Sequence, residues 1–181
     1  MKTILKLSLA ILALSFLTVG LMAVIGMTVK KQHIITRYIR VNQSREVIWE
    51  TITNFAAQPS WRTDLKAVTS QGSQDGKTVW LEEYKDGMAI PLETTVIDSP
   101  RFMIRTITDP NLPFAGNWEY KVSPYANGGC IVRITEYGEV KNPVFRFLGH
   151  YIFNQAETIE TCLKNLSAKF GVQNPKMGTG E

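Results

Sequence analysis

Residues 117–137 read Asn-Trp-Glu-Tyr-Lys-Val-Ser-Pro-Tyr-Ala-Asn-Gly-Gly-Cys-Ile-Val-Arg-Ile-Thr-Glu-Tyr. Trp118, Tyr120 and Val122 alternate with Asn117, Glu119 and Lys121. Strict alternation at period two is the signature of a strand with one buried face. Asn127-Gly128-Gly129 then supplies the turn, and Val132 and Ile134 share a face against Arg133 and Thr135. Two such runs joined by a glycine turn form an antiparallel pair.

The same reading extends upstream. Ala67–Ser70, Lys77–Tyr84, Met88–Asp98 and Phe102–Thr108 read as strands, separated by Asp86-Gly87, Ser99-Pro100 and a two-proline loop, Asp109 to Pro113. His33–Val41 reads as a first strand. After it Ser44 caps a short helix carrying Val47, Ile48, Ile52 and Phe55, which Pro59 ends. Downstream, Asn142-Pro143 starts a helix predicted to run unbroken to about Phe170, with Leu148, Ile152, Ile159, Leu163, Leu166 and Phe170 as its buried stripe. The fold class is α+β: an antiparallel sheet with one face covered by a long C-terminal helix. A sheet wrapped round a single helix leaves space between the two.

Ahead of all this lies an uncharged apolar run of 23 residues, Leu7–Val29. As a helix it would rise about 34 Å, against a hydrocarbon core about 30 Å thick. Lys2, Lys6, Lys30 and Lys31 bracket it. The run exceeds a signal-peptide core, although Thr18-Val19-Gly20 and Val24-Ile25-Gly26 are passable cleavage sites. Three segments result: an N-terminal single-pass membrane anchor over 1–32, a folded domain over 33–171, and a disordered tail over 172–181. The flanking lysines, with Arg37 and Arg40, leave open which side of the membrane the domain occupies.

The net charge of +4 comes from 20 Lys/Arg against 16 Asp/Glu. Four of those lysines flank the apolar run, so the domain itself is near neutral. No basic stripe with interleaved aromatics appears, which argues against a nucleic-acid partner. Two cysteines, Cys130 and Cys162, are too few for a disulfide framework and read as buried thiols.

The motifs Val47-Ile48-Trp49, Asn54-Phe55 and Pro59-Ser60-Trp61 are followed by Gly116-Asn117-Trp118-Glu119-Tyr120, Gly128-Gly129 and Asn142-Pro143. Together they resemble the START-like, or Bet v 1-like, superfamily, which includes polyketide cyclase/dehydrase and lipid transport proteins. The resemblance spans about Ile34 to Phe170. It departs at Asn54, where the family often has an acid, and at Cys130, where threonine is common. It implies a helix-grip fold, a seven-stranded sheet around the C-terminal helix over a hydrophobic cavity. That fold hosts carriers, cyclases and regulatory binders alike.

Catalytic chemistry is sparse. His33 and His150 are isolated, no metal-binding or nucleophile motif occurs, and no glycine-rich loop suggests a nucleotide, so neither cofactor nor metal is expected. Glu136 shares the Val132/Ile134 face and is the one weak candidate for acid–base work. Glu83 shares the Val79/Leu81 face, and Arg105 reads as pointing outward. The expected cavity lining is Trp61, Leu81, Leu92, Thr94, Phe102, Ile104, Phe114, Trp118, Tyr120, Val132, Ile134, Glu136, Tyr151 and Ile152, with the Asp109–Phe114 loop as a gate. The leading functional expectation is membrane-tethered binding of a small hydrophobic or lipid-like ligand. The alternatives are a cyclase or dehydratase, and an envelope or stress interaction protein whose cavity is incidental. The sequence names no oligomeric state.

Overall fold

The computed structural model describes residues 2–74 and 77–180. Helix α1 (Lys2–Thr28) is followed by β1 (Gln32–Val41), α2 (Arg45–Thr53) and a 3-10 turn at Phe55–Ser60. Six strands succeed one another: β2 (Leu65–Gln74), β3 (Lys77–Tyr84), β4 (Ala89–Asp98), β5 (Phe102–Ile107), β6 (Phe114–Pro124) and β7 (Cys130–Val140). Helices α3 (Pro143–Tyr151) and α4 (Glu157–Lys169) and a short strand β8 (Gly178–Thr179) complete the chain. The strands form one antiparallel sheet in the order β2-β3-β4-β5-β6-β7-β1-β8.

Helix α1 contains a span, Lys6–Thr28, long and apolar enough to cross a membrane, with a mean hydropathy of 2.5. Nearly all of it is exposed. Helix α2 starts where the Ser44 hydroxyl accepts from the Val47 N–H at 3.3 Å. It buries Ile48, Trp49 and Ile52 against the sheet.

The predicted single C-terminal helix is two helices. Asn142 caps α3, accepting from Val144 N–H at 2.8 Å, and Pro143 opens it. The break falls at Asn154. Its side chain accepts from the Ala156 N–H at 3.0 Å, its carbonyl accepts from Glu157 N–H, and its amide donates to Glu160 at 3.3 Å. Asparagine offers the backbone these local alternatives to a continuing helix, so a new helix begins there. The element lying across the sheet is therefore α4, 13 residues and about 20 Å long. It buries Ile159, Cys162, Leu163 and Leu166, spaced as one helical face, against Ile39, Val132 and Ile134. Arg37 on β1 ties it down through Glu160 at 2.9 Å.

The expected tail also differs. Gly178 and Thr179 pair with Tyr38 and Arg37 of β1, and Met177 packs against the core. The sheet thus gains an eighth strand at its β1 edge.

Leu163 is fully buried where α4 meets the sheet. Leu163→Ala should lower stability by about 2–5 kcal/mol, since a cavity adds to the lost transfer energy. Chemical denaturation of the full chain in detergent measures it.

Candidate functional site

Strand register fixes which side chains face inward. Trp80, Glu82 and Tyr84 of β3, Ile90 and Leu92 of β4, Met103 and Arg105 of β5, and Trp118 and Tyr120 of β6 lie on one face, as the pairs Trp80–Leu92, Glu82–Ile90, Arg105–Trp118 and Met103–Tyr120 require. Glu136 and Ile134 of β7 join them opposite Trp118 and Tyr120.

Two of the expected faces are therefore reversed. Leu81 and Glu83 turn to the outer side of β3, and Phe102 and Ile104 to the outer side of β5. Arg105, expected outward, is 1% exposed. Both strands carry apolar side chains on both faces, so alternation alone was ambiguous. A charged pair decided it.

Glu82, 1% exposed, lies between Arg62 and Arg105. Arg62 Nη1 donates to Glu82 Oε2 at 3.0 Å, and Arg105 Nη1 donates to Glu82 Oε1. Tyr84 donates its hydroxyl to Glu82 Oε2 at 3.1 Å. Arg62 also reaches Asp64 at 2.7 Å and Gln58 at 3.3 Å, while Arg105 stacks on the Phe55 ring at 4.1 Å. Two cations thus meet two carboxylates. Burial works to raise the Glu82 carboxyl, but the Arg105 and Arg62 guanidinium groups outweigh it and hold it below its ordinary value. Burial pushes the Tyr84 and Tyr120 hydroxyls well up, and the Cys162 thiol to about 11. Cys130 and Cys162 are both free and buried.

This cluster fills the inner end of the space beneath the sheet. The void left among Arg62, Glu82, Leu92, Tyr120, Ile134 and Cys162 is only about 10 Å³, at or below the ~10–15 Å³ that one water requires. A cavity of about 450 Å³ lies at the other end, between the sheet and the α3–α4 corner. Tyr84, Ile90, Phe114, Trp118, Phe145 and Phe153 supply much of its apolar wall, with Leu148 and Gly149 of α3.

Its polar fixture is Glu136. Trp118 Nε1 donates to Glu136 Oε2 at 2.9 Å, and His33 Nε2 lies 3.0 Å from Glu136 Oε1. Trp118 and Glu136 are cross-strand partners, whereas His33 pairs with Gly138. A Cβ at Gly138 would collide with the imidazole, so glycine there is what lets His33 lean across to Glu136. All three line the cavity. An imidazole beside a carboxylate can orient a polar ligand atom or relay a proton.

Of the expected lining, the structure brings Phe114, Trp118 and Glu136 to this cavity. Leu92, Tyr120 and Ile134 surround the small inner void. Trp61 and Val132 are packed in the core, and Thr94 sits on the inner face opposite Arg105. Tyr151 and Ile152 are exposed at the end of α3, because the break in the helix turns them away. In the proposed gate loop Phe114 lines the cavity, while Leu112 is half-buried and does not. His33, Phe145, Leu148 and Phe153 were missed. The signal for Phe145, Leu148 and Gly149 was their i, i+3, i+4 spacing. Nothing in the sequence joined His33 to Glu136, 103 positions away.

Residues 32–171 match the family model for polyketide cyclase/dehydrase and lipid transport proteins. This chain belongs to that family. Among solved structures, it is similar to a START superfamily protein from Mycobacterium smegmatis, with a TM-score of 0.61 at 16% identity over 76% of this chain and 97% of that one. The protein XoxI from Bacillus cereus gives 0.60 at 17% identity, over 78% of this chain and 96% of its own. A norcoclaurine synthase point mutant from Thalictrum flavum, in complex with a transition-state analogue, gives 0.60 at 13%, over 77% and 94%. At these identities the likeness is one of fold. No curated protein matches the chain in sequence. Family and fold together make the domain a ligand-binding one.

Glu82→Gln leaves two buried guanidinium groups short of a charge and should cost about 3–5 kcal/mol. Because its folded carboxyl titrates low, Glu82 stabilises the fold fully above the ordinary value of 4.5 and loses that contribution as the pH falls through the lower folded value. Thermal melts across acid pH should show the wild type losing stability there and the Gln variant losing less.

Proposed function

We propose that this protein is a membrane-tethered module that binds a small hydrophobic or lipid-like molecule in the cavity beneath its sheet. The observation that carries the reading is the cavity itself. Its volume of about 450 Å³ falls within the range of about 300–1,000 Å³ usual for ligand sites, and such sites have mostly apolar walls with few polar points. Apolar burial supplies the affinity, and Glu136 with Trp118 and His33 orients the polar end. The span Lys6–Thr28 supplies the tether. Holding the domain at the bilayer raises its effective concentration where oily ligands partition.

The hydrogen bond between His33 and Glu136 favours a second reading, a proton-transfer enzyme acting on a polyketide-like substrate. The carboxylate would take a proton from the carbon next to a substrate carbonyl, whose oxygen would receive the electron pair as an enolate, and the imidazole would hold the carboxylate in place.

Protein purified with its anchor should release a lipid-like mass under denaturing conditions after native mass spectrometry. Ile107→Trp, which places an indole in the cavity wall, should remove most of that mass. Unchanged loading in the tryptophan variant overturns the cavity as the binding site. For the enzymatic reading, Glu136→Gln should abolish turnover while leaving ligand loading nearly intact. Equal turnover in that variant rules it out.

A further inference from the structure

Helix α3 serves two neighbours. Phe145, Leu148 and Gly149 face the cavity. Elsewhere α3 is locked to the end of α1: a Cβ on Gly26 would collide with the Pro143 carbonyl, and Arg146, itself buried, donates from Nη1 to the Val29 carbonyl at 3.2 Å. Between residues 20 and 29 only Met22, Ala23, Ile25 and Gly26 of α1, with Val29 just past its end, lose exposure. Those positions share one side of its last two turns. Helix α3 is therefore fixed at the C-terminal end of the apolar run, where a membrane-crossing helix reaches the headgroup boundary.

The surface that α3 presents there is apolar and uncovered. Phe145 is 48% exposed, and Tyr151, Ile152 and Phe153 are 58%, 57% and 61% exposed. The Tyr151 ring packs against Phe147 at 5.1 Å and edge-on to His150 at 4.6 Å, so it is held in place. Lys30 and Lys31, just past the end of α1, and Lys141, just before α3, are exposed. Aromatic side chains with basic neighbours suit the boundary between acyl chains and anionic headgroups.

We propose that α3 and the Tyr151–Phe153 corner form a membrane-docking face that sets the cavity mouth on the lipid surface. The proposal rests on the tether reading and adds the route by which the ligand arrives. Phe145 and Phe153 belong to both the exposed face and the cavity wall. A molecule dissolved in the bilayer then reaches the cavity laterally past these two rings, without crossing water. The occupant of the face is lipid, because α3 is packed directly on the last turns of the apolar helix α1 and exposed lysines stand at that junction.

The test uses the full chain in phosphatidylcholine vesicles containing phosphatidylglycerol. An environment-sensitive fluorophore is attached at Ile152→Cys, and in separate preparations at Leu14→Cys in α1 and at Tyr125→Cys, beyond the other end of β6. The native cysteines are buried and stay unlabelled. Nitroxide-bearing lipids should quench the label at 152 several-fold and spare the label at 125, and aqueous iodide should show the reverse. A label at 152 that iodide reaches as readily as the one at 125 overturns the docking face. So does a label shielded from both quenchers, which would mean that protein covers it. The label at 14 reports on the tether separately. Quenching at 14 without quenching at 152 keeps the tether and removes the face. Quenching at 152 without quenching at 14 keeps the face and removes the tether.

Discussion

The Glu82 carboxylate, shared between Arg62 and Arg105 beneath the sheet, decides where this domain keeps free space. A carboxylate this deeply buried is tolerable only when opposite charge and hydrogen-bond donors surround it. Meeting that condition draws in Arg62 from the segment after the 3-10 turn, Arg105 from β5, and Tyr84 from the end of β3. Five large polar or aromatic groups, counting Phe55 beneath Arg105, then occupy the inner half of the interior. The end towards α3 remains open.

The two carboxylates of the interior consequently do different work. Glu82 is enclosed by cations and has no access to a ligand-sized space. Glu136 has neutral or weakly basic partners, an indole and an imidazole, and its side chain borders the cavity. A group fully committed to arginines is structural. A group held by single hydrogen bonds at a cavity wall retains lone pairs for something that enters.

The break between α3 and α4 completes the arrangement. One continuous helix could cover the sheet or reach α1, but could not turn to do both. Asn154 ends the first course and begins the second. Helix α4 then seals the core while α3 closes the cavity and grips the last turns of α1.

The sequence by itself determined the order of elements as far as Asn142-Pro143, the antiparallel sheet, the apolar N-terminal helix and the family. These rest on local periodicity, turn residues and short motifs, which are legible wherever they occur. It also placed Trp118, Tyr120, Val132, Ile134 and Glu136 on one face, because β6 and β7 alternate apolar with polar residues. In β3 and β5 apolar side chains fall on both faces, and the sequence reading chose the Leu81 face of β3 and an outward Arg105 on β5, both wrongly. Only the tertiary structure decided those faces. Two charges can be buried together when strands and loops far apart in sequence bring them within hydrogen-bonding distance, and no single strand records its partner. For the same reason the closeness of His33 to Glu136, and the position of the cavity against α3, became visible only once the chain was folded.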